Sequence, residues 1–109
     1  MQSFSASEVN NYVDMDYGEG SIRFVWPDPI FGWEQLEIDA DGFCSRRMPI
    51  HSGNGPPAFV ELERDRIVLR FSAELAQDLQ LQDKVEIRFS LSDADFGKLR
   101  TLVDWFRDR

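Results

Sequence analysis

Apolar residues recur at every second position along residues 60–71. Val60 and Leu62, then Ile67, Leu69 and Phe71, stand between polar neighbours, the pattern of half-buried strands. A two-residue connection at Arg64-Asp65 sets Leu62 opposite Ile67, Val60 opposite Leu69 and Glu63 opposite Arg66, which predicts an antiparallel hairpin with one apolar face. Ser72 is placed to cap a short helix on which Leu75, Ala76 and Leu79 share a side. Alternation returns at residues 84–89, with Val85, Ile87 and Phe89 pointing inward. Ser92, followed three residues later by Asp95 and flanked by Leu91 and Phe96, predicts the capped and stapled start of a last helix. Phe96, Leu99, Leu102, Val103 and Phe106 then fall at helical spacing, so this helix should lay an apolar stripe on a sheet.

The first half is less regular. Residues 4–13 read as an opening strand and Ser21-Ile22-Arg23-Phe24-Val25-Trp26 as a second, ended by Pro27 and Pro29, which lack the N–H a ladder needs. A further hairpin runs from Glu34-Gln35-Leu36-Glu37-Ile38 through Asp39-Ala40-Asp41-Gly42 into residues 43–48, with glycine supplying the left-handed turn position. His51-Ser52-Gly53-Asn54-Gly55-Pro56-Pro57 reads as a mobile loop. The sum is one α+β domain over residues 1–109, a mostly antiparallel sheet with a short helix and with a C-terminal helix packed on one face.

Charge narrows the partner. Twenty acidic residues against 12 basic give a net charge of −8, which argues against nucleic acid and favours a basic protein. Residues 1–57 hold nine acids and three bases, so most of the excess is N-terminal. No apolar run approaches the roughly 20 residues of a membrane span, and the N-terminus lacks a basic stretch leading into an apolar one. One cysteine and one histidine make neither an internal disulfide nor a usual zinc set, so a reducing cytoplasm is the expected location.

Candidate chemistry is sparse. His51 titrates nearest neutrality but reads as a solvated loop residue, and Cys44, beside Phe43, as a small buried hydrophobe. The groups Asp14-Met15-Asp16-Tyr17-Gly18-Glu19 and Asp39-Ala40-Asp41-Gly42 stop short of a calcium loop and read as turns. No phosphate-binding loop or nucleophile elbow occurs, leaving little basis for catalysis, a metal or another cofactor. The stiff aromatic segment Trp26-Pro27-Asp28-Pro29-Ile30-Phe31-Gly32-Trp33 is either core filler or a set of interface anchors bordered by Asp28 and Glu34. Asp14, Asp16 and Glu19 are either a solvated face or an electrostatic recognition surface.

Residues 61–76, together with Val85-Glu86-Ile87-Arg88-Phe89 and Ser92-Asp93-Ala94-Asp95-Phe96, resemble the C-terminal half of small bacterial immunity proteins of polymorphic toxin systems, the immunity protein 10 type in particular. The likeness covers residues 58–106 and consists of scaffold residues. It implies a non-catalytic cytoplasmic protein that binds and neutralises a cognate toxin. On that reading Asp14, Asp16, Glu19, Asp28 and Glu34, with Glu37, Asp39 and Asp41, steer a basic toxin, and Trp26, Phe31 and Trp33 anchor it. The alternative is a structural or oligomerising module whose aromatic loop packs against its own copy.

Overall fold

Alternating half-buried segments bury their apolar sides only by pairing, and here they pair into two sheets rather than one. The computed structural model describes residues 1–14, 16–46, 51–55 and 57–108. The strands are β1 (Gln2–Ser5), β2 (Glu8–Asp14), β3 (Glu19–Asp28), β4 (Gly32–Asp39), β5 (Phe43–Arg46), β6 (His51–Asn54), β7 (Ala58–Glu63), β8 (Arg66–Arg70) and β9 (Lys84–Arg88). Helix α1 (Ala73–Leu79) precedes β9, and α2 (Asp93–Arg107) follows it. The first sheet is an antiparallel meander ordered β2-β3-β4-β5-β6. The second is ordered β1-β9-β8-β7, with β1 parallel to β9 and the other pairs antiparallel.

The core lies between the sheets. Ile22, Phe24, Trp26, Leu36 and Ile38 from the meander join Ile67, Leu69, Val85 and Ile87 from the second sheet in one buried cluster. Both helices close it from the same side of the meander, α1 against β5 and β6, α2 against β2, β3 and β7. Their caps are those the sequence announces. Ser72 Oγ accepts the Leu75 N–H at 3.1 Å and Ser92 Oγ the Asp95 N–H at 3.2 Å, each satisfying an otherwise orphaned first-turn donor. Leu99, Leu102 and Val103 are buried as the stripe requires.

Several expectations are corrected. The opening strand is two strands in different sheets. The Ala6 N–H donates to the Arg88 carbonyl at 2.7 Å and the Ser7 N–H to the Val25 carbonyl at 2.8 Å, so the chain changes sheet between adjacent residues. β3 passes through Pro27 to Asp28. Backbone groups alternate sides along a strand, and Pro27 faces as Val25 does, toward β2, whose first residue Glu8 already pairs with Val25. The missing N–H thus falls where there is no ladder to break.

Residues 51–54 of the expected loop form β6 instead. At Gly53 a Cβ would stand 2.8 Å from Leu75 Cδ1 and 2.9 Å from Asp78 Oδ2, so the absent side chain is what lets α1 approach the strand. In the β7–β8 hairpin Glu63 faces Arg66 and Leu62 faces Ile67 as expected. A bulge between Phe59 and Glu61 then puts Phe59, rather than Val60, opposite Leu69. Val60 turns to solvent at 48% exposure. Phe59 meets Phe106 edge-on at 6.1 Å. Arg47 and Met48, expected to continue β5, lie outside the described residues.

Candidate partner-binding face

Because the second sheet and both helices pack on one side of the meander, its other side is bare among the described residues. Strand alternation decides what stands there. The registers Tyr12 to Ser21, Arg23 to Glu37 and Glu37 to Ser45 run across it. Among the described residues its charged groups are Glu8, Asp14, Glu19, Glu37 and Asp39 against the guanidinium of Arg23, a strongly acidic set on a solvated surface. Asp14 and Glu19 are direct cross-strand partners, a like-charge pair that costs stability unless a cation approaches it. Tyr12 stands beside them at 53% exposure.

The residues singled out from sequence separate into three groups. Asp14, Glu19 and Trp33 belong to the bare face, Trp33 half-buried opposite Pro27. Asp16 and Phe31 sit in turns, and Asp28 ends β3 with its carboxylate turned into the turn that follows. Asp14 Oδ1 accepts the Asp16 N–H at 3.2 Å, and Asp28 Oδ1 accepts those of Ile30 at 2.7 Å and Phe31 at 3.1 Å, so the acids of both segments serve as turn residues. Phe31 is half exposed on its turn, next to the more exposed Ile30. Trp26 and Glu34 face inward. Trp26 is 5% exposed with its ring stacked on Phe4 at 4.2 Å, which makes it core filler rather than an anchor. Glu34 is 1% exposed and pairs with Arg46 Nε at 3.5 Å. Arg46 Nη1 also donates to the Gln80 carbonyl at 2.9 Å, tying the end of α1 to the meander. Glu8, Tyr12 and Arg23 are face residues that sequence reading missed; for Arg23 the available signal was its alternation with Ile22 and Phe24 along β3.

The remaining candidates are structural in their surroundings. Cys44 is buried, and burial, helped by the charge of Asp39, pushes its thiol up to about 12, so it is a thiol and not a thiolate at neutral pH. His51 stands opposite Arg46 in the β5–β6 ladder. Asp39 Oδ1 accepts the N–H groups of Asp41 at 2.9 Å and Phe43 at 3.0 Å, as a turn aspartate does. No three His, Cys, Asp or Glu side chains are grouped to hold a metal ion among the described residues. No described helix is long and apolar enough to cross a membrane.

The outer side of the second sheet differs in kind. Its acids are matched by arginines in a network around Glu86. Although on an outer face, Glu86 is 3% exposed. It accepts hydrogen bonds from Arg88 Nε at 2.9 Å, Arg66 Nη1 at 3.0 Å and Ser3 Oγ at 3.4 Å, linking β1, β9 and β8. The Arg88 bond above all, with Arg66, holds its carboxyl below the ordinary carboxylate range. The neighbouring Glu63 is pushed up by its hydrogen bond to Glu61 and by that residue's charge. A carboxyl with a depressed folded pKa stabilises the fold above its unfolded value and ceases to as pH falls through the folded value. Wild-type stability should therefore drop as pH is lowered from about 4.3, and Glu86→Gln should make that drop shallower. Denaturant midpoints measured between neutral and strongly acid pH check this; parallel curves for the two proteins would refute it.

Comparison of the chain with protein-family models, curated proteins and solved structures returns no match.

Proposed function

We propose that the chain is a non-catalytic, immunity-type inhibitor that binds a basic bacterial toxin and neutralises it by occlusion, working in the cytoplasm. The observation that carries the reading is the bare meander face, where among the described residues five carboxylates oppose one guanidinium, while Glu61, Glu63 and Glu86 of the other sheet are each paired with arginine. Such a face gains association rate from long-range attraction and opposes acidic partners. The likeness of residues 58–106 to immunity proteins supplies the class of partner. The aromatic groups in reach of it include Tyr12, Trp33 and Phe43, with Phe31 at the turn, each able to give contact area at small entropic cost.

The test begins with the gene's surroundings. A toxin-like reading frame beside it, whose product is basic and whose toxicity is relieved by co-expression of this chain, is the expected finding. For that purified pair, association should slow as salt rises, since screening acts over about 8 Å at physiological ionic strength. The triple change Asp14→Asn, Glu19→Gln and Glu37→Gln should slow association more than it speeds dissociation, while Trp33→Ala should act mainly on dissociation. Surface plasmon resonance at two salt concentrations reads all of this. Salt-independent association, with wild-type kinetics in both variants, would move the interface off this face.

A further inference from the structure

β2 is the outermost strand of the meander, and its backbone shows which groups are unused. The Ala40 N–H donates to the Gly20 carbonyl, so Gly20, Ile22 and Phe24 turn their backbone groups toward β4, and Ser21, Arg23 and Val25 turn theirs toward β2. Glu8, Asn10 and Tyr12, the register partners of Val25, Arg23 and Ser21, therefore exchange bonds with β3. The N–H and C=O groups of Val9, Asn11 and Val13 point the other way, out of the sheet. An edge of this length is a template for another strand unless something blocks it. At the far end of α2, Arg107 Nη2 reaches the Phe59 carbonyl of β7 at 2.6 Å; the near end of the helix leaves β2 open.

Beside that edge runs a groove of about 490 Å³ between β2 and α2, lined by Asn11 and Val13 on the strand and by Ala94, Gly97, Thr101 and Leu102 on the helix. These helix positions recur at i, i+3, i+7 and i+8, a stripe of mostly small residues next to the buried one. A Cβ at Gly97 would meet nothing within 4 Å, so the space is real. Val13 is 45% exposed. Asn11 Oδ1, at the groove, is buried without a hydrogen-bond partner, an acceptor that favours an incoming donor.

We infer that the β2 edge and the β2–α2 groove form a docking slot for an extended segment of a basic protein, which adds to the meander as a sixth strand. Its alternate side chains divide as a strand requires. Basic ones stand on the bare-face side near Glu8 and Asp14, and apolar ones enter the groove, whose helix wall already carries the cation Lys98. Charge also disfavours a second copy of this chain as the occupant. Antiparallel overlap of two β2 strands about Asn11 sets Glu8 of each against Asp14 of the other, a repulsion repeated at both ends. The slot is independent of whether the basic protein is a toxin.

A seven-residue peptide alternating lysine and valine is the probe, used with the full chain. Its binding should slow amide hydrogen exchange at Val9, Asn11 and Val13. Of two versions N-methylated at either the valine or the lysine amides, one should lose binding and the other keep it, because only one edge of an added strand faces β2. Gly97→Leu, which fills the groove while improving helix propensity, should weaken binding about tenfold or more and leave the fold intact. Equal behaviour of the two methylated peptides, protection elsewhere on the molecule, or an unchanged affinity in Gly97→Leu would overturn the slot. So would concentration-dependent protection of the β2 amides without peptide, which would show that a second copy occupies the edge. Absence of a toxin gene would leave every one of these results standing.

Discussion

Removing residues 92–109 is expected to abolish cooperative unfolding. α2 spans the open side of the two-sheet core, contributing the fully or almost fully buried side chains of Leu99, Leu102 and Val103, with Trp105 and Phe106 packed at the margin. Without it Ile22 and its neighbours would face water, and Gly20, which lies so close to Trp105 and Leu102 that a Cβ would stand 2.8 Å from the indole, would lose its cover. Apolar surface exposed on that scale exceeds the few kcal/mol by which a domain of this size is stable. The single change Leu99→Ala, at a site with 0% exposure, should cost about 2–5 kcal/mol. Calorimetry would show a lowered but still sharp transition for the point variant and none for the truncation; an intact transition after truncation would place the core elsewhere.

The second large effect is expected at Trp26. Its indole is buried against Phe4, in a layer shared with Phe24 and Leu36, so Trp26→Ala should cost about 3–5 kcal/mol of stability. Phe4 would lose its stacking partner, loosening the short β1 strand that holds it. Trp33→Ala, on the half-buried outer side of the neighbouring strand, should cost much less. Urea denaturation of the two variants separates them, and comparable losses at both sites would mean that Trp33 also belongs to the core.

The second half was legible because its signals are local. Caps at Ser72 and Ser92, the stripe on α2 and the alternation of β8 and β9 each depend on residues within one turn or one strand. In the first half the deciding facts are tertiary. Phe4 and Val9 both pack on the core, and their odd separation already breaks a single alternating strand, a sign that the sheet changes between them. Trp26 shares parity with Ile22 and Phe24, so its burial was readable. Glu34 shares parity with Leu36 and Ile38, but a carboxylate in the core makes sense only once the ladder brings Arg46 beside it. β6 has no apolar pattern, and only the approach of α1 gives its glycine meaning. The acids stand out in the sequence as a group. Which of them share a surface follows from register, and register separates Asp14 and Glu19 from Asp16 and Asp28.

The parallel pairing of β1 with β9 joins Gln2 to Val85 and Ser5 to Arg88. Residues 2–5 therefore find their partners only after residues 85–88 have been made, some 80 residues later. The meander, built from neighbouring hairpins, is able to zip earlier, but its apolar side stays uncovered until β8, β9 and α2 emerge. At about 5–20 residues per second that interval lasts on the order of seconds. Pairings of such long range also slow folding of the finished chain. The nascent protein thus carries an open sheet through the interval in which aggregation and chaperone capture compete with folding, and changes that delay β9 should lower soluble yield more than changes of equal thermodynamic cost on the bare face.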